Sequence, residues 1–239
     1  MIETSILDFL TMKRQELTKF LLKYKFAIQE IETKIKILNE ELKTLNDYNP
    51  IENISSRLKT PESLLNKVNK KGIPFELETI EKNIRDIAGI RITCSFISDI
   101  YAVYEMLQKQ SDIEIIEVKD YIQNPKPNGY QSLHLIVQIP VFLSEGKELV
   151  TAEIQIRTVA MDFWASLEHK IFYKYNNDVP KRIKEELLST ALRSAELDRQ
   201  MERLNIEVKA MKDQARLEQS IINDEQWTKI QNHLKRVVQ

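Results

Sequence analysis

The sequence predicts an α/β (α+β) protein, with a mixed β-sheet of about five strands between long N-terminal and C-terminal helices. Three observations support this fold class. Short alternating patterns typical of strands are interspersed with helical patterns in the middle of the chain. Glycine occurs only 4 times in 239 residues, so both flanks have few breaks in their helical spacing. A chain of this length can bury one core of about 150 residues and still carry helical extensions.

Residues 1–48 are predicted to form an N-terminal helical region. Apolar residues recur between charges at helical spacing from Glu3 to about Leu45, which indicates one or two amphipathic helices. Their apolar face can cap the core or make an oligomer contact, and the pattern is compatible with both. Asn49-Pro50 marks the boundary with the centre of the chain.

Hydrophobic alternation and helical spacing define the predicted elements of this centre. They are a strand over 56–59, a helix over 61–71, a strand over 88–96, a helix over 98–108, strands over 113–121, 133–141 and 149–158, and a helix over 161–175. Thr60 is suited to the N-cap of the first helix and Pro61 to its first position, so the start of this helix is well specified.

Residues 179–239 are predicted to form a C-terminal helical region. This segment is rich in Glu, Arg, Lys and Met, and it contains no glycine or proline after Pro180. Residues 49–178, between the two flanks, are therefore the predicted catalytic unit.

The most informative strand is the last one. Strict alternation places Glu153, Gln155 and Arg157 on one face and the isoleucines between them on the other. A carboxylate, an amide and a guanidinium in one row can hold a metal, a nucleotide hydroxyl and phosphate oxygens. Other strands have polar faces of the same kind, at Arg57 and Lys59, at Arg91, and at His134. We therefore expect one polar surface of the sheet to carry the chemistry.

The first central helix carries a second group of polar side chains. A hydroxyl and three ammonium groups share one face, from Ser63, Lys67, Lys70 and Lys71. A solvated lysine stripe is the simpler explanation of such a face, but Arg57 and Lys59 just upstream favour a polyphosphate site. No glycine-rich phosphate-binding loop occurs, so side chains would have to hold the phosphates.

Two carboxylates predict a magnesium site. Asp86 stands before a strand whose entrance contains Gly89, and it can pair with Glu153. Magnesium prefers hard oxygen ligands and commonly takes few of them from the protein, the rest coming from phosphates and water. Zinc is disfavoured, because no histidine has a partner at ligand spacing.

The segment 124–134 contains two prolines and a glycine before an aromatic residue. Tyr130, displayed where this loop meets a strand, can stack on a nucleobase, which is worth about 1–3 kcal/mol in nucleic-acid binders. Lys126 and His134 can then reach a phosphate or a hydroxyl. A buried core tyrosine is the alternative.

Composition narrows the possible partners. Lys plus Arg total 35 against 36 for Asp plus Glu, so a net charge of −1 gives no reason to expect duplex DNA or an anionic membrane. Cys94, the only cysteine, lies in an apolar strand pattern typical of a core position. No stretch approaches the roughly 20 apolar residues that span a bilayer, and no leader pattern occurs, so a cytoplasmic protein is expected.

Five motifs together resemble one family. They are Asp86-Ile-Ala-Gly-Ile-Arg91, Lys119-Asp-Tyr-Ile, Pro125-Lys-Pro-Asn-Gly-Tyr-Gln-Ser-Leu-His134, and Glu153-Ile-Gln-Ile-Arg-Thr158 with Trp164-Ala-Ser-Leu-Glu-His169. They closely resemble the synthetase domain of the RelA/SpoT-type (p)ppGpp enzymes. The resemblance covers about residues 49–175, and the helical flanks are similar to those of small alarmone synthetases of the RelP type.

This resemblance implies a nucleotidyltransferase-like fold and a specific reaction. Such enzymes transfer the β,γ-pyrophosphate of ATP to the ribose 3′-hydroxyl of GDP or GTP, and they release AMP and ppGpp or pppGpp. It also implies Mg²⁺ as cofactor and a homotetramer assembled through the helical flanks. Each histidine is followed by Leu or Lys, so the His-Asp pair of the family's hydrolase domain is missing and synthesis without degradation is expected.

The resemblance assigns roles to residues at matching positions. Asp86 and Glu153 would bind the metal, and Glu153 would also accept the proton of the attacking hydroxyl. The ATP site would be formed by Arg57, Lys59, Ser63, Lys67, Lys70 and Arg91, with the two arginines on either side of the adenine. The GDP or GTP site would be formed by Lys126, Tyr130, His134, Gln155 and Asp162, with Tyr130 stacked on guanine. The role of Arg157 is left open.

Two other functions fit part of the pattern. A noncatalytic module for nucleotides or single-stranded RNA would use Tyr130 and the lysine face, but it would have no need for Asp86 and Glu153 together. A template-independent nucleotidyltransferase would fit the mixed sheet, but the chain lacks a Gly-Ser followed by paired aspartates.

Overall fold

A five-stranded mixed sheet is the centre of the structure, in agreement with the predicted fold class. The computed structural model describes the backbone of residues 2–46, 48–174 and 179–237, and the side chains of residues 13–45, 48–171, 179–216 and 227–229. The strands are β1 (Ile51–Leu58), β2 (Ala88–Cys94), β3 (Glu114–Asp120), β4 (Leu133–Leu143) and β5 (Gly146–Thr158). Their order in the sheet is β1-β2-β5-β4-β3. The central pair β2–β5 is parallel, and the other pairs are antiparallel.

The helices lie between and around these strands. They are α1 (Ile2–Asn46), α2 (Pro61–Lys71), α3 (Leu77–Asn83), α4 (Ile97–Gln108), α5 (Val159–Lys174) and α6 (Lys181–Val237). The N-terminal region is a single helix, one of the two predicted possibilities. Helix α2 has its predicted bounds, because the Thr60 hydroxyl accepts a hydrogen bond from the Ser63 N–H and left-handed Gly72 ends the helix. The predicted end at 175 and the predicted boundary at 178 lie outside the described residues.

Several bounds differ from the prediction by one to three residues, and two local features differ more. Strand β1 begins at Ile51 instead of residue 56, because pairing with β2 continues from Leu58 back to Ile51 opposite Cys94. The polar Asn and Ser residues of this segment obscure the strand pattern in the sequence. Helix α3 was not predicted, because its 7 residues bury only Ile80 and are too short to show a helical period.

The core lies between the sheet and helix α1. Tyr24, Ile31 and Ile35 of α1 are almost completely buried, and this helix packs across β1, β2, β4 and β5. Burying an isoleucine of this kind contributes roughly 1.5–3 kcal/mol. The apolar face of α1 therefore caps the core, as one of its two predicted roles required. Cys94 is fully buried in the same core, as predicted for a small apolar residue.

A second, smaller cluster fixes the start of α6. Trp164 of α5 packs with Leu187 and Ala191, and its indole N–H lies 3.2 Å from both the Leu187 carbonyl oxygen and the Thr190 hydroxyl. Further along α6, the Asp198 carboxylate accepts a 2.6 Å hydrogen bond from the Thr158 hydroxyl at the end of β5. Helix α6 is rich in charged residues, and these contacts pack its first half against α5 and the end of β5. Within the described residues, no helix is long and apolar enough to cross a membrane.

Candidate active site

Strand register places the predicted polar groups in two rows on one face of the sheet. One row crosses all five strands and consists of Ser55, Arg91, Gln155, His134 and Lys119. The neighbouring row consists of Arg57, Gly89, Glu153, Ile136 and Glu117. Since residues two apart along a strand share a face, these rows form one surface. Helix α1 covers the opposite side, so the expected polar surface exists and faces away from the core.

The first of two clefts on this surface lies over β1, β2 and β5. It has a volume of about 220 Å³ and is lined by Ser55, Ser56, Arg57, Gly89, Ile90, Arg91, Glu153 and Gln155. A Cβ at Gly89 would lie 3.4 Å from the side chain of Arg57, so this arginine packs directly over the glycine. Arg57 and Arg91 border the same space.

The second cleft is strongly charged and has a volume of about 400 Å³. Its lining consists of Lys67, Lys71, Lys82, Asn83, Arg85, Asp86, Glu117, Lys119, Ile136 and Glu153. Glu153 lines both clefts and therefore stands at their junction. A group held in the first cleft and a group held in the second would meet at this carboxylate.

Two lysines neutralise Asp86. The ammonium of Lys67 is 2.7 Å from Oδ1, and that of Lys59 is 3.1 Å from Oδ2. Burial alone would raise the pKa of Asp86, but the hydrogen bonds and charges of these lysines outweigh it, so the pKa lies below its usual value. Asp86 is thus ionised, and it holds two of the predicted phosphate-binding lysines beside the cleft.

Glu153 accepts a hydrogen bond on each carboxylate oxygen. Oε1 is 3.2 Å from Nδ1 of His134, and Oε2 accepts from the Gln155 amide at 2.8 Å. Burial raises the pKa of Glu153, but the interactions with His134 and Gln155 outweigh burial, so the pKa lies below its usual value. An ionised carboxylate at a cleft junction can accept a proton or bind a cation.

Tyr130 lies half-buried at the edge of this group. Its hydroxyl oxygen is 2.7 Å from Nε2 of His134, and the guanidinium of Arg157 donates to it at 2.6 Å. The ammonium of Lys126 lies 4.7 Å from the Tyr130 ring centre and 4.5 Å from that of Tyr121. Tyr130 is therefore part of an open aromatic and cationic cluster and not a fully buried core residue.

The loop that carries Lys126 and Tyr130 is closed by its own backbone and packed on α6. The Lys126 N–H donates to the Tyr130 carbonyl at 3.1 Å, and the Gly129 N–H donates to the Lys126 carbonyl at 2.8 Å. Gly129 has φ +85°, and a Cβ there would lie 2.4 Å from the Cβ of Ala191. Only glycine allows the loop to approach the helix this closely.

Asp162, near the start of α5, pairs with two arginines of the sheet. Its Oδ1 is 3.2 Å from Nη1 of Arg91, which lines the first cleft. The same oxygen accepts a 3.1 Å hydrogen bond from Nη1 of Arg157. Both arginines point at one carboxylate, so Asp162 links Arg91 of the predicted ATP site to the buried Arg157.

Most predicted site residues come together, and two lie at the margin. Ser63 and Lys70 are exposed on α2 and line neither of these two clefts. Several residues that border the site were not predicted as site residues, namely Tyr121, Lys82, Arg85 and Lys119. Lys119 and Tyr121 stand in one of the quoted motifs, and the alternation of Glu117 with Lys119 marks a polar strand face. The ring of Tyr121 lies edge-on to Tyr130 and to His134.

The donor set fits a magnesium ion. Among the described residues, no group of three or more His, Cys, Asp or Glu side chains could hold a metal. Asp86 and Glu153 do line one cleft, together with lysines suited to phosphate. Two carboxylates supplemented by phosphate oxygens and water are the set that magnesium takes in many nucleotide enzymes.

Comparisons with known proteins agree with this geometry. A family model described as a region found in RelA and SpoT proteins matches residues 56–178. The GTP pyrophosphokinase YwaC of Bacillus subtilis (strain 168) is 54% identical over 181 residues, which cover 76% of this chain and 86% of that protein.

Two solved structures have the same fold. The crystal structure of small alarmone synthetase 2 from Bacillus subtilis matches with a TM-score of 0.74 and 52% identity, over 80% of this chain and 99% of that chain. The structure of small alarmone synthetase 1 from Bacillus subtilis, bound to its product pppGpp, matches with a TM-score of 0.77 and 38% identity, over 81% of this chain and 98% of that chain.

Proposed function

The chain belongs to the RelA/SpoT family, and on this premise we propose that it is a GTP pyrophosphokinase that acts as a small alarmone synthetase. It transfers the β,γ-pyrophosphate of ATP to the ribose 3′-hydroxyl of GDP or GTP. The 3′-oxygen forms a bond to the β-phosphorus, the bond between that phosphorus and the α,β-bridging oxygen breaks, and AMP leaves. The products are AMP and ppGpp or pppGpp. We assign the reaction to residues 49–178, with helical flanks on both sides.

The position of Glu153 is the observation that carries this proposal. It lies at the junction of the two clefts, and its ionised carboxylate can accept the proton of the attacking hydroxyl. General-base help of this kind contributes about 10²- to 10⁴-fold. The rest of the rate enhancement in phosphoryl-type transfer comes from alignment and charge neutralisation.

The first cleft is the ATP site in this proposal. The adenine lies between Arg57 and Arg91, which border the cleft together. The phosphates extend toward Lys59 and Lys67, whose ammonium groups pair with Asp86. Ser63 and Lys70 contact the phosphates from the exposed face of α2.

The acceptor nucleotide occupies the Tyr130 side of the surface. Guanine stacks on Tyr130, whose ring has the ammonium of Lys126 4.7 Å from its centre, and Asp162 accepts from the guanine edge. Gln155 and His134 hold the ribose hydroxyls near Glu153. Lys119 is the register neighbour of His134 and lines the second cleft with Arg85, so these cations are placed to hold the 5′-phosphates.

Asp86 and Glu153 would hold a magnesium ion. When bound, the ion neutralises charge on the transferred phosphates. Lys59 and Lys67, which pair with Asp86, would share the same phosphates with the ion.

The test is an assay with purified protein, magnesium, β,γ-labelled ATP and GDP or GTP. The wild type is expected to transfer label to the guanine nucleotide and to release AMP. Glu153→Gln should lose about 10²- to 10⁴-fold in kcat and still bind both nucleotides in calorimetry. Nucleotide binding without any labelled product from the wild type would instead support a noncatalytic binding module.

We also propose that the protein is a homotetramer assembled through its helical flanks. Helix α6 has exposed apolar side chains, such as Leu197, Leu204 and Met211, beyond its contacts with α5. Light scattering at micromolar concentration should give the mass of a tetramer, and a monomeric mass would refute this assembly. The cytoplasmic location stays a prediction.

A further inference from the structure

Arg157 is buried beneath the acceptor site and donates only to residues of that site. Its side chain is 5% exposed. Among the described residues, its hydrogen bonds end on Oδ1 of Asp162 at 3.1 Å, on the hydroxyl of Tyr130 at 2.6 Å and on Oε1 of Gln155 at 2.9 Å. An arginine with a purely scaffolding role would be expected to bind backbone carbonyls or groups remote from the chemistry.

The first consequence concerns the direction of a hydrogen-bond chain. A guanidinium can donate but cannot accept, so the Tyr130 oxygen is the acceptor in its bond with Arg157. The phenolic proton is then free to point at Nε2 of His134, 2.7 Å away. The ionised Oε1 of Glu153 can only accept, so its 3.2 Å approach to Nδ1 matches an imidazole proton on that nitrogen and leaves Nε2 to accept from Tyr130.

A second chain from Arg157 reaches the other oxygen of the same carboxylate. Nη2 donates to the carbonyl oxygen of the Gln155 side chain, which fixes the orientation of this amide. The amide nitrogen then donates to Oε2 of Glu153 at 2.8 Å. Each oxygen of Glu153 therefore accepts from a side chain that is oriented, directly or through Tyr130, by the buried guanidinium of Arg157.

We propose that Arg157 is a positioning residue that sets the donor-to-acceptor direction in both hydrogen-bond chains that lead to Glu153. It selects the Nδ1–H tautomer of His134 and the orientation of Gln155, and in this way it holds Glu153 as a pure acceptor directed at the substrate hydroxyl. This inference rests on the proposed role of Glu153 and deepens it. Arg157 itself touches no reacting atom.

The decisive measurement is the His134 tautomer in the nucleotide-free protein. NMR of isotope-labelled histidine, at about pH 8 where an ordinary imidazole is neutral, distinguishes the two tautomers and the imidazolium. The His134 signal is assigned by its loss in His134→Gln. The wild type should show the Nδ1–H form, and Arg157→Met and Tyr130→Phe should both shift His134 toward the Nε2–H form.

A matched control separates this effect from the loss of any tyrosine hydroxyl. Tyr48→Phe removes a hydroxyl that donates to Asp99 at 2.7 Å, away from the site. It should leave the His134 spectrum unchanged. Tyr130→Phe tests the first chain even if Arg157→Met fails to fold, because Tyr130 is half-buried at a loop end and its ring is retained.

Kinetics supply a second readout. Arg157→Met should lower kcat by roughly 10- to 100-fold, the usual effect of removing a group that orients a functional residue, and should leave the KM for ATP near the wild-type value. Arg157→Lys retains the charge but lacks the planar fork, so it should recover only part of the activity.

Three results would overturn the proposal. The first is an imidazolium or an Nε2–H tautomer of His134 in the wild type. The second is an unchanged His134 spectrum in Tyr130→Phe. The third is an equal increase in the KM values of Arg157→Met for both nucleotides, with no change in kcat. Failure of the proposed function would look different, since the wild type would then make no labelled guanine nucleotide whatever the state of His134.

Discussion

Substituting Gly129 by alanine should separate the acceptor loop from helix α6. Two costs combine at this position. The φ of +85° disfavours any Cβ by about 1–2 kcal/mol. The new Cβ would also lie 2.4 Å from the Cβ of buried Ala191, and because both atoms are fixed to the backbone, the loop or the helix must move. Overpacking of this kind costs about 1–3 kcal/mol.

Gly72→Ala is the matched control for this variant. Gly72 has φ +64°, but nothing lies within 4 Å of the Cβ position, so only the conformational cost applies. The clash should therefore make Gly129→Ala worse than Gly72→Ala by about 1–3 kcal/mol. Since 1.4 kcal/mol corresponds to a tenfold change, the KM for GDP should rise by roughly 5- to 150-fold where the whole cost falls on acceptor binding, and by less where part of it lowers the stability.

The assay combines urea unfolding with steady-state kinetics for both substrates. We expect the extra cost in the free energy of unfolding, in the KM for GDP, or shared between them, and little change in the KM for ATP. Adding Ala191→Gly removes the clashing Cβ, and the double variant should show a favourable coupling above about 1 kcal/mol despite the cost of glycine in a helix. Equal effects of Gly129→Ala and Gly72→Ala on both quantities would refute the proposed packing.

Two further predictions concern Asp86 and its lysines. Lys67→Met should lower kcat/KM for ATP by roughly 10- to 150-fold, because a charged hydrogen bond is worth about 1.5–3 kcal/mol. Lys70→Met, on the exposed face, should have a clearly smaller effect. Equal decreases in kcat/KM for the two variants would contradict the assignment. The folded-state pKa of Asp86 lies below 3.8, so its contribution to stability is present above its unfolded-state pKa and is lost as the pH falls through the folded-state value. Below about pH 4, Asp86→Asn should therefore lose less free energy of unfolding than the wild type does. Urea titration at several pH values measures this, with the exposed Glu62→Gln as the control. An unchanged pH profile would show that the ion pairs of Asp86 are weak.

The sequence was sufficient where a property depends on neighbouring residues. The bounds of α2 follow from Thr60 and Pro61, and the polar face of β5 follows from the alternation of Glu153, Gln155 and Arg157. These local patterns, together with the family motifs, predicted the sheet and most of the polar residues that the structure brings together on one of its faces.

The remaining features depend on contacts between distant segments. Pairing of β4 with β5 places His134 opposite Gln155. The two hydrogen-bond chains from Arg157 to Glu153 depend on this register, which the sequence does not reveal. The approach of Gly129 to Ala191 depends in the same way on where α6 docks. The pairing of Asp86 with Lys59 and Lys67 also escaped prediction, because sequence patterns assigned the acid and the bases to different ligands.

The parallel pairing of β2 with β5 has a consequence for how the protein folds. All other strand pairs are antiparallel, and β3, β4 and α4 lie between β2 and β5 in the chain, so this central pair closes only after a long crossover. Contacts between segments so far apart form late and slow the search for the native state. Arg91 and Gln155 are neighbours only across this pair, so a folding intermediate that lacks it would not yet have a complete nucleotide site. An emerging or partly unfolded chain would thus be inactive, and a pulse-labelling experiment should find protection of β2 and the onset of nucleotide binding at the same moment.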